Sequence, residues 1–341
     1  MNTLADLIYK DAESIAEATD LSSLQGKSVL ITGITGLVGT YFAASLKQAE
    51  ANGIAVKVIA VVHNAPDAYF KELLPKGSEI IAGDLTDPAF LQSLPSADIV
   101  IHAAGYGQPG KFLSDPVKTL ALNTLATSML AEKVKTGGKF LFVSTSEIYS
   151  GSKNVPYKET DIGTTGPEHP RACYIEGKRS GEAIADAYRA KGLDAKAARL
   201  SLAYGPGTKK GDQRVLNSFI EKALNGEIAM MDSGAAKRTY CYVTDAVEMM
   251  WKILLSGKEF VYNVGGESKT TIAELAAKIG GIAGAPVKAG ASAQALGGAP
   301  EDVWLDLSKA KKEFSKTDFV GLDAGLARTI EWQRILYGKT K

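Results

Sequence analysis

The sequence predicts an α/β fold, a doubly wound parallel sheet with a smaller C-terminal lobe. Short runs that are apolar throughout alternate with helical stretches, the pattern of a parallel sheet covered by helices on both faces. A glycine-rich turn lies between the first apolar run and the first long helix. After residue 200 the chain becomes rich in glycine and charged residues, which marks the second lobe. The 341 residues are enough for both parts.

The composition is that of an ordinary globular protein, with 45% hydrophobic and 23% charged residues. A formal net charge of +1 gives no electrostatic reason to expect nucleic acid or an anionic membrane as a partner. No run reaches the ~18 apolar residues typical of a membrane-spanning helix. Cys173 and Cys241 lack the spacing of a metal site, so we expect no metal and a reducing, cytoplasmic location.

Residues 1–27 are predicted to form an N-terminal helical extension, because this segment is amphipathic and lacks the basic start and apolar centre of a signal peptide. Residues 28–200 are predicted to form a nucleotide-binding domain. Apolar runs predict its strands at 28–32, 56–62, 79–82, 98–104, 139–144 and 195–201. The intervening patterns predict helices at 38–53, 116–134 and 174–191.

Residues 201–341 are predicted to form mainly a substrate-binding lobe, with some segments returning to the first domain. A loop rich in glycine and charge follows Tyr204. The predicted elements of this part are helices near 214–225, 244–255 and 325–337 and a strand near 260–265. The small and glycine-rich residues of 284–300 predict a flexible surface segment.

The motif "ITGITGLVG" places Gly33, Gly36 and Gly39 between a predicted strand and a predicted helix, the context that a dinucleotide-binding turn requires. The first glycine permits the tight turn, the second lets the backbone approach a pyrophosphate, and the third permits close packing of helix on sheet. The free N–H groups at the start of the helix then face the phosphates. The first domain is therefore predicted to be a Rossmann domain that binds a dinucleotide.

The end of the second strand normally separates NAD from NADP, because an acidic residue binds the ribose hydroxyls and an arginine suits a 2′-phosphate. This chain has His63 and Asn64 there, which can hydrogen-bond a ribose but equally suit a solvated strand end. NAD is the preferred cofactor. The complete predicted cofactor site comprises Gly33, Gly36, Leu37, Val38, Gly39, His63, Asn64, Asp84, Leu85, Ala103, Ala104, Asn123, Ser144, Tyr174 and Lys178.

Tyr174 and Lys178 lie one helical turn apart in "CYIEGKR" and would share one helix face. A tyrosine pKa of ~10 is too high for a base at neutral pH, but a neighbouring ammonium and an oxidised nicotinamide stabilise the phenolate. Tyr174 would then take a hydroxyl proton while hydride leaves the same carbon, with the Thr145 hydroxyl bonded to the reacting oxygen. Asn123, on a mostly apolar helix, is either a site residue that holds a proton-relay water or an exposed residue.

Several segments in a fixed order carry a resemblance to a known family: "TGITGLVG", "STSEIYS", "CYIEGKR", "RLSLAYGPG" and "YNVGG". From residue 28 onward the chain resembles the extended short-chain dehydrogenase/reductase family, and within it the nucleotide-sugar epimerase/dehydratase branch. Of that branch, the UDP-glucuronate decarboxylase group is most similar in "STSEIYS", "CYIEGKR", "QRVLNSF" (213–219) and "KRTYCYV" (237–243).

The resemblance implies tightly held NAD and a reaction that begins with oxidation at sugar C4, supported by Thr145, Tyr174 and Lys178. The resulting 4-keto group acidifies C5. A C5 carboxylate would then leave as carbon dioxide, whereas a C6 hydroxyl would be eliminated, and rotation of the keto sugar would give the 4-epimer. In each case the hydride can return, so the cofactor is not consumed. The resemblance also implies a UDP-sugar substrate and a homodimer built on two long helices of the first domain.

Glu147 is not needed for plain dehydrogenation, so we interpret it as the residue of a second step at C5. It would either remove a proton or orient the ring so that a carboxylate can leave; a salt bridge to a nearby arginine is the alternative reading. The residues to which the resemblance assigns substrate contacts are Ser146, Glu147, Arg214, Asn217 and Arg238.

Three positions depart from the family pattern. Leu202 replaces a substrate-side asparagine, Val303 replaces a diphosphate-binding arginine, and His63 replaces the acid after the second strand. We therefore expect the contacts to cofactor and nucleoside to differ from those of the standard enzyme. Lys209 and Lys210 are candidates for replacing lost contacts.

The leading hypothesis is an NAD-dependent nucleotide-sugar decarboxylase. The second is a 4,6-dehydratase: glucose-nucleotide dehydratases usually place Asp-Glu where this chain has Ser146 and Glu147, but mannose-nucleotide dehydratases share Thr-Ser-Glu. A 4-epimerase is a further alternative. A non-catalytic dinucleotide sensor is disfavoured by the presence of Tyr174 and Lys178.

Overall fold

The structure is a computed structural model that describes residues 3–290 and 302–339. Its strands are β1 Ser28–Thr32, β2 Lys57–Val62, β3 Glu79–Ala82, β4 Ala97–His102, β5 Val134–Thr145, β6 Asp194–Leu200, β7 Ala203–Tyr204, β8 Ile228–Ala229, β9 Lys237–Tyr242, β10 Val261–Val264, β11 Ser268–Thr271, β12 Val287–Lys288 and β13 Asp302–Val303. Its helices are α1 Leu4–Asp11, α2 Glu13–Ala18, α3 Leu37–Ala51, α4 Ala68–Glu72, α5 Pro88–Ser93, α6 Pro109–Ser114, α7 Pro116–Asn123, α8 Leu125–Ala131, α9 Ala172–Ala190, α10 Val215–Leu224, α11 Val243–Ser256, α12 Ile272–Ala283, α13 Ser308–Phe314 and α14 Leu322–Leu336.

The central sheet has 7 strands in the order β10-β6-β5-β4-β1-β2-β3. Neighbouring strands are parallel throughout, and helices cover both faces. The sheet grows from β1 in both directions, through β2 on one side and β4 on the other, so the carboxyl ends of β1 and β4 border a crevice. The doubly wound α/β fold predicted from the sequence is confirmed.

Two predicted elements differ from the structure. The predicted helix 116–134 is divided into α7 and α8 at Thr124, whose hydroxyl donates to the Leu120 carbonyl at 2.8 Å and whose ψ is −73°. This local side-chain bond competes with regular helix geometry. The third strand, expected to be buried, forms an edge of the sheet instead, and Ile80 at its centre is 38% exposed.

The N-terminal segment folds as two short helices that pack into the main core, where Ile8 and Ile15 are fully buried. Asp11, at the end of α1, accepts hydrogen bonds from the hydroxyls of Tyr41 at 2.7 Å and Tyr242 at 2.6 Å. Its other oxygen pairs with Arg328 at 2.7 Å. These bonds join α1 to α3, β9 and α14, so the N-terminal helices are part of the folded unit.

Residues after 200 contribute to two regions. The strand β10 pairs with β6 and completes one edge of the central sheet, while α11 packs against α3. The remainder forms a small sheet of β7, β9, β11 and β13 and a separate core between α10, α12 and α14. Of the predicted flexible segment 284–300, residues 287–288 pair with β8, and residues 291–300 lie outside the described part. Within 3–290 and 302–339, none of the helices combines the length and apolar character needed to cross a membrane.

Candidate active site

A cavity of about 480 Å³ opens at the carboxyl ends of β1, β4 and β5. Its wall runs from the glycine turn to the start of α9 and on to the loop before α10. The predicted residues that line it are Gly33, Gly36, Leu37, Val38, Gly39, His63, Asp84, Leu85, Ala103, Ala104, Ser144, Thr145, Ser146, Glu147, Tyr174, Lys178 and Arg214. The fold therefore brings the glycine motif and the hydroxyl, carboxylate and Tyr–Lys motifs into one crevice.

The glycine turn has the close packing that a dinucleotide site requires. Gly33 has φ +67°, and a Cβ there would lie 2.6 Å from the backbone of Ala103 and Ala104. A Cβ at Gly39 would lie 2.3 Å from the Gly33 carbonyl oxygen, so the start of α3 rests directly on the turn. A side chain at either position would push the helix or the neighbouring strand end away.

The start of α3 is open toward the cavity. Its N-cap residue is Gly36, and no side chain accepts a hydrogen bond from the first turn. The helix has 15 residues, long enough for its N-terminus to carry a substantial positive partial charge. Gly36, Leu37 and Val38 line the cavity at this point. Uncapped N–H groups beside a glycine cradle fit the pyrophosphate of a dinucleotide.

The region expected to hold the adenosine is formed by the ends of β2 and β3. His63 is exposed at the cavity edge, and Asn64, also exposed, lies outside the cavity wall. Asp84 is paired with Lys118 at 2.7 Å and accepts from the Thr86 hydroxyl at 2.7 Å. These partners hold the pKa of Asp84 well below its usual range, so Asp84 is an anion in this wall.

Tyr174 and Thr145 meet inside the cavity. The Tyr174 side chain is only 8% exposed, and burial raises its pKa to about 12, while a hydrogen bond with Thr145 acts in the opposite direction. The sequence led us to expect a lowered pKa from Lys178. In the protein alone, desolvation outweighs the nearby charges, so a cation supplied from outside the chain would be needed to favour the phenolate.

Lys178 is fully enclosed beneath Tyr174. Its Nζ donates to the Val143 carbonyl at 2.7 Å and lies 4.7 Å from the centre of the Phe142 ring. Burial lowers its pKa to about 7, with the charge of Glu182 opposing that effect. The Lys178 ammonium is therefore poised near neutral pH and fixed to the end of β5.

Asn123 is buried, so the alternative that it is simply exposed is wrong. Its amide nitrogen donates to the Thr119 carbonyl at 2.8 Å. Its Oδ1 is enclosed without a hydrogen-bond partner among the described residues. This oxygen lies 3.9 Å from the point that a Cβ would occupy if Gly105 carried one. Asn123 does not line the cavity, but this unsatisfied acceptor fits an enclosed water just behind Lys178.

Ser144 is buried near the end of β5 and donates to the carboxylate of Glu182 on α9. That carboxylate is in turn paired with Arg199 on β6 at 2.7 Å. The three side chains join β5, β6 and α9 directly below Thr145 and Lys178. Sequence reasoning did not find Glu182, although it follows Lys178 by one helical turn.

Glu147 forms an ion pair with Arg171, whose Nη2 lies 2.6 Å from Glu147 Oε1. Burial raises the pKa of Glu147, and the charges of Arg171, Arg238 and His169 oppose that effect. The salt bridge with an arginine, given above as the alternative reading of Glu147, is therefore present, and it lies in the cavity wall. Arg171 was missed in the sequence, although it stands directly before "ACYIEGKR" and caps the same helix.

The predicted substrate residues separate into two groups. Ser146 and Arg214 line the cavity, and Arg214 is held by Asp212 through Nη2–Oδ2 at 2.6 Å. Arg238 is partly buried on β9, outside the cavity wall but within electrostatic range of Glu147. Asn217 does not line the cavity: it is buried on α10, and its amide oxygen accepts from Gln333 at 3.4 Å.

The positions that depart from the family pattern have definite structural settings. Leu202 has φ +42°, a left-handed conformation that asparagine tolerates far better than leucine, and its side chain lines the cavity. Val303 is buried on β13 in register with Arg238 on β9. Lys209 lines the cavity, whereas Lys210 does not. Of the two candidate lysines, only Lys209 therefore lies where it could contact a ligand in this cavity.

Comparisons with known proteins agree with this geometry. The profile of the NAD dependent epimerase/dehydratase family matches residues 29–265. UDP-glucuronic acid decarboxylase 6 from Arabidopsis thaliana is 31% identical over 327 residues, covering 92% of this chain and 90% of that protein. UDP-glucuronic acid decarboxylase 1 from Xenopus tropicalis is 30% identical over 321 residues, covering 92% of this chain and 74% of that protein.

The crystal structure of UDP-glucose 4-epimerase from Thermotoga maritima, solved with UDP-glucose, shares the fold with a TM-score of 0.76 and 26% identity. The match covers 90% of this chain and 98% of the epimerase chain. The glycine cradle, the uncapped helix and the family match identify NAD as the cofactor and the chain as an enzyme. The chain belongs to the NAD-dependent epimerase/dehydratase family.

Proposed function

We propose that this protein is an NAD-dependent nucleotide-sugar decarboxylase acting on UDP-glucuronate. The observation that carries the proposal is the position of Glu147, a partly buried carboxylate in the same cavity as Thr145 and Tyr174. The relatives named UDP-glucuronic acid decarboxylase, similar over most of the chain, support the choice of substrate. The catalytic set is Thr145, Glu147, Tyr174 and Lys178.

The chain's own residues have distinct tasks in this reaction. Tyr174 takes the proton of the sugar C4 hydroxyl, and Thr145 holds the same oxygen by a hydrogen bond. Bound NAD supplies the acceptor for the C4 hydride and later returns it. Lys178, fixed by the Val143 carbonyl, lies under Tyr174 and provides positive charge when protonated.

The 4-keto sugar is a β-keto acid because its carboxylate is attached to C5. The electrons of the C5–C6 bond pass into the C4 carbonyl as carbon dioxide leaves, and the enolate must then gain a proton at C5. Glu147 starts as a carboxylate, and burial raises its pKa, which favours uptake of a solvent proton and its delivery to C5, directly or through water, once carbon dioxide has left. Ser146 and Arg214 contribute substrate contacts from the adjacent wall.

The test is incubation of the enzyme with UDP-glucuronate, followed by mass spectrometry of the nucleotide sugar. Loss of the mass of carbon dioxide supports the proposal, whereas loss of the mass of water would indicate a 4,6-dehydratase. An unchanged mass with an altered sugar would indicate a 4-epimerase. Tyr174→Phe is the matched control: it should abolish turnover while NAD binding persists, and full activity in this variant would remove Tyr174 from the mechanism.

The organisation proposed for the chain is an NAD-binding Rossmann domain at 28–200 after the helical extension 1–27. Residues 201–341 would form mainly the nucleotide-sugar lobe. The cavity supports this division, because the glycine turn lies on one side and Arg214 and Lys209 on the other. Binding of UDP should therefore protect amides near Lys209 from hydrogen exchange, and NAD should protect those near Gly36.

We further propose a cytoplasmic homodimer. Val117 and Leu120, on one side of α7, are 75% and 37% exposed, which suits a helix that meets a second copy. Cys173 and Cys241 are both free thiols, as expected in a reducing compartment. Sedimentation of the wild type and of Val117→Glu tests the dimer. The wild type should have the mass of a dimer and the variant that of a monomer. Equal masses for the two proteins would argue against this helix as the interface.

A further inference from the structure

Arg171 occupies a position that the catalytic scheme leaves without a task. It is the N-cap residue of α9, directly before the helix that carries Tyr174. Its side chain is 18% exposed and lines the cavity, and its guanidinium lies 5.5 Å from the centre of the Phe112 ring. The cation is therefore held in the cavity wall beside Glu147 and Tyr174.

The guanidinium of Arg171 is incompletely satisfied. Nη2 donates to Glu147 at 2.6 Å, but the enclosed Nε–H has no hydrogen-bond partner among the described residues. A buried charged donor without an acceptor is unfavourable, and guanidinium forks characteristically bind carboxylates through two N–H groups. A small rotation of the Arg171 side chain could bring its guanidinium against an incoming carboxylate. The Nε–H group would then have an acceptor.

The charges that act on Glu147 in this wall are cationic. Arg171, Arg238 and His169 all oppose the effect of burial on the pKa of Glu147. A uronate carboxylate beside Arg171 would gain from this setting, whereas the C6 hydroxyl of a neutral hexose would not.

We propose that Arg171 binds the C6 carboxylate of the substrate and thereby selects a nucleotide-linked uronate over the corresponding neutral hexose. This inference rests on the proposed decarboxylase function and adds the specificity-determining residue. Because Nη2 is already bonded to Glu147, Arg171 offers the substrate only part of its fork. Arg171 holds the substrate carboxylate firmly enough to orient it, while the neighbouring carboxylate of Glu147 repels the substrate carboxylate.

The partial grip suits the chemical step. When the C5–C6 bond breaks, its electron pair moves onto C5 and the C4 oxygen, and the carboxylate leaves as neutral carbon dioxide. Arg171 then loses this partner but keeps Glu147, so no guanidinium is left wholly unpaired. A cation that bound the carboxylate with its entire fork would instead stabilise the ground state and slow its loss.

The experiment measures binding of UDP-glucuronate and UDP-glucose by calorimetry to the NAD-loaded Tyr174→Phe enzyme, which should not turn either over. In this background Arg171→Gln should weaken UDP-glucuronate binding about 10- to 100-fold, the loss expected for one charge-assisted contact. Binding of UDP-glucose should change by less than about 3-fold, because its C6 hydroxyl does not need the cation. Arg171→Lys should recover part of the lost discrimination.

A second variant separates carboxylate binding from mere positioning of Glu147. Glu147→Gln removes the repelling charge and frees the fork of Arg171, so it should strengthen UDP-glucuronate binding. If Arg171 only positioned Glu147, the two variants would change binding in the same direction. Arg189→Gln is the matched control, since Arg189 lies on the same helix in an ion pair with Asp186, remote from the cavity wall.

The outcomes distinguish this inference from the proposed function. If the wild type decarboxylates UDP-glucuronate but Arg171→Gln keeps the preference for the uronate, the role of Arg171 is wrong and the decarboxylase stands. If the wild type neither converts UDP-glucuronate nor prefers it to UDP-glucose, both proposals fall. Conversion of UDP-glucuronate to a product that has lost carbon dioxide, together with opposite binding shifts for Arg171→Gln and Glu147→Gln and no shift for Arg189→Gln, would support both.

Discussion

The rings of Phe112 and Tyr174 are stacked nearly parallel, with their centres 4.7 Å apart and an angle of 6° between their planes. Phe112 belongs to α6, a short helix that lines the cavity, whereas Tyr174 lies in the first turn of α9. The apolar ring shields the phenol from water and therefore contributes to the burial that raises the pKa of Tyr174. Arg171 lies against the same Phe112 ring, so one aromatic side chain organises both the base and the proposed carboxylate contact.

Phe112→Ala should lower the pKa of Tyr174 from about 12 toward its ordinary value of 10, because water reaches the phenol. Alkaline absorbance titration of Phe112→Ala, with the titration of Phe112→Ala/Tyr174→Phe subtracted, isolates this tyrosine. Phe112→Leu keeps an apolar cover and should leave the pKa nearly unchanged. Equal pKa values in the Ala and Leu variants would show that Phe112 is not the source of the shielding.

Lys178 should reduce stability at neutral pH. Burial lowers its pKa from 10.5 to about 7, so between these values the unfolded chain binds a proton that the folded chain does not. The stability of the wild type must therefore rise with pH across this window, by up to ~1.4 kcal/mol per pH unit. Below a pH of about 7 the folded chain has to enclose the charged ammonium of Lys178.

The variant Lys178→Met lacks this titration. Without bound cofactor it should be more stable than the wild type at pH 7, and the difference should shrink as the pH is raised. Urea unfolding of both proteins at several pH values measures the two curves, and titrations elsewhere in the chain cancel in their difference. A constant difference across the window would mean that Lys178 has an ordinary pKa in the folded protein.

Leu202 is expected to store backbone strain, because a leucine with φ +42° is disfavoured by contact of its Cβ with the backbone. Comparison of Leu202→Gly with Leu202→Ala tests this effect, since both variants lose the side chain beyond Cβ and differ by only one methyl group. The glycine variant should be more stable by ~1 kcal/mol, the reverse of the order at most ordered positions. Urea unfolding decides between the two orders, and a more stable alanine variant would exclude strain at this position.

Asp11 should anchor the N-terminal helices to the domain. Asp11→Ala removes the acceptor of the Tyr41 and Tyr242 hydroxyls and the partner of Arg328, and should lower the free energy of unfolding by ~3 kcal/mol. Asp6→Ala, which removes only the exposed capping bond of α1, should lower it much less. Equal losses in thermal or urea unfolding would show that the buried bonds of Asp11 add nothing beyond helix capping.

Local sequence patterns were sufficient to predict the parallel sheet and many of the residues that line the cavity. Gly33, Gly36 and Gly39 were recognisable because their spacing and their place between strand and helix follow from steric requirements. Tyr174 and Lys178 were recognisable because one helical turn places them on a shared face. Each of these inferences depends on neighbours close in the chain, which is the information that a single sequence holds.

Contacts between distant segments were not predictable in the same way. Phe112 reaches Tyr174 only through the packing of α6 on α9, and nothing in the residues around Phe112 signals it. Asn217, predicted to contact the substrate, is buried on α10 and bonded to Gln333 of α14, a partner 116 residues away in the chain. The direction of the Tyr174 pKa shift depends on enclosure by other elements, so spacing alone gave the opposite sign.

The proposed reaction removes carbon dioxide from the sugar and is redox-neutral at C4. The most direct test uses UDP-glucuronate with deuterium at sugar C4, incubated with the purified enzyme, and mass spectrometry and NMR of the product. The account predicts a UDP-pentose that retains deuterium at C4 and carries a solvent-derived hydrogen at C5. A product that has lost its C4 deuterium, with deuterated NADH accumulating in equal amount, or a product that keeps its carboxylate, would contradict it.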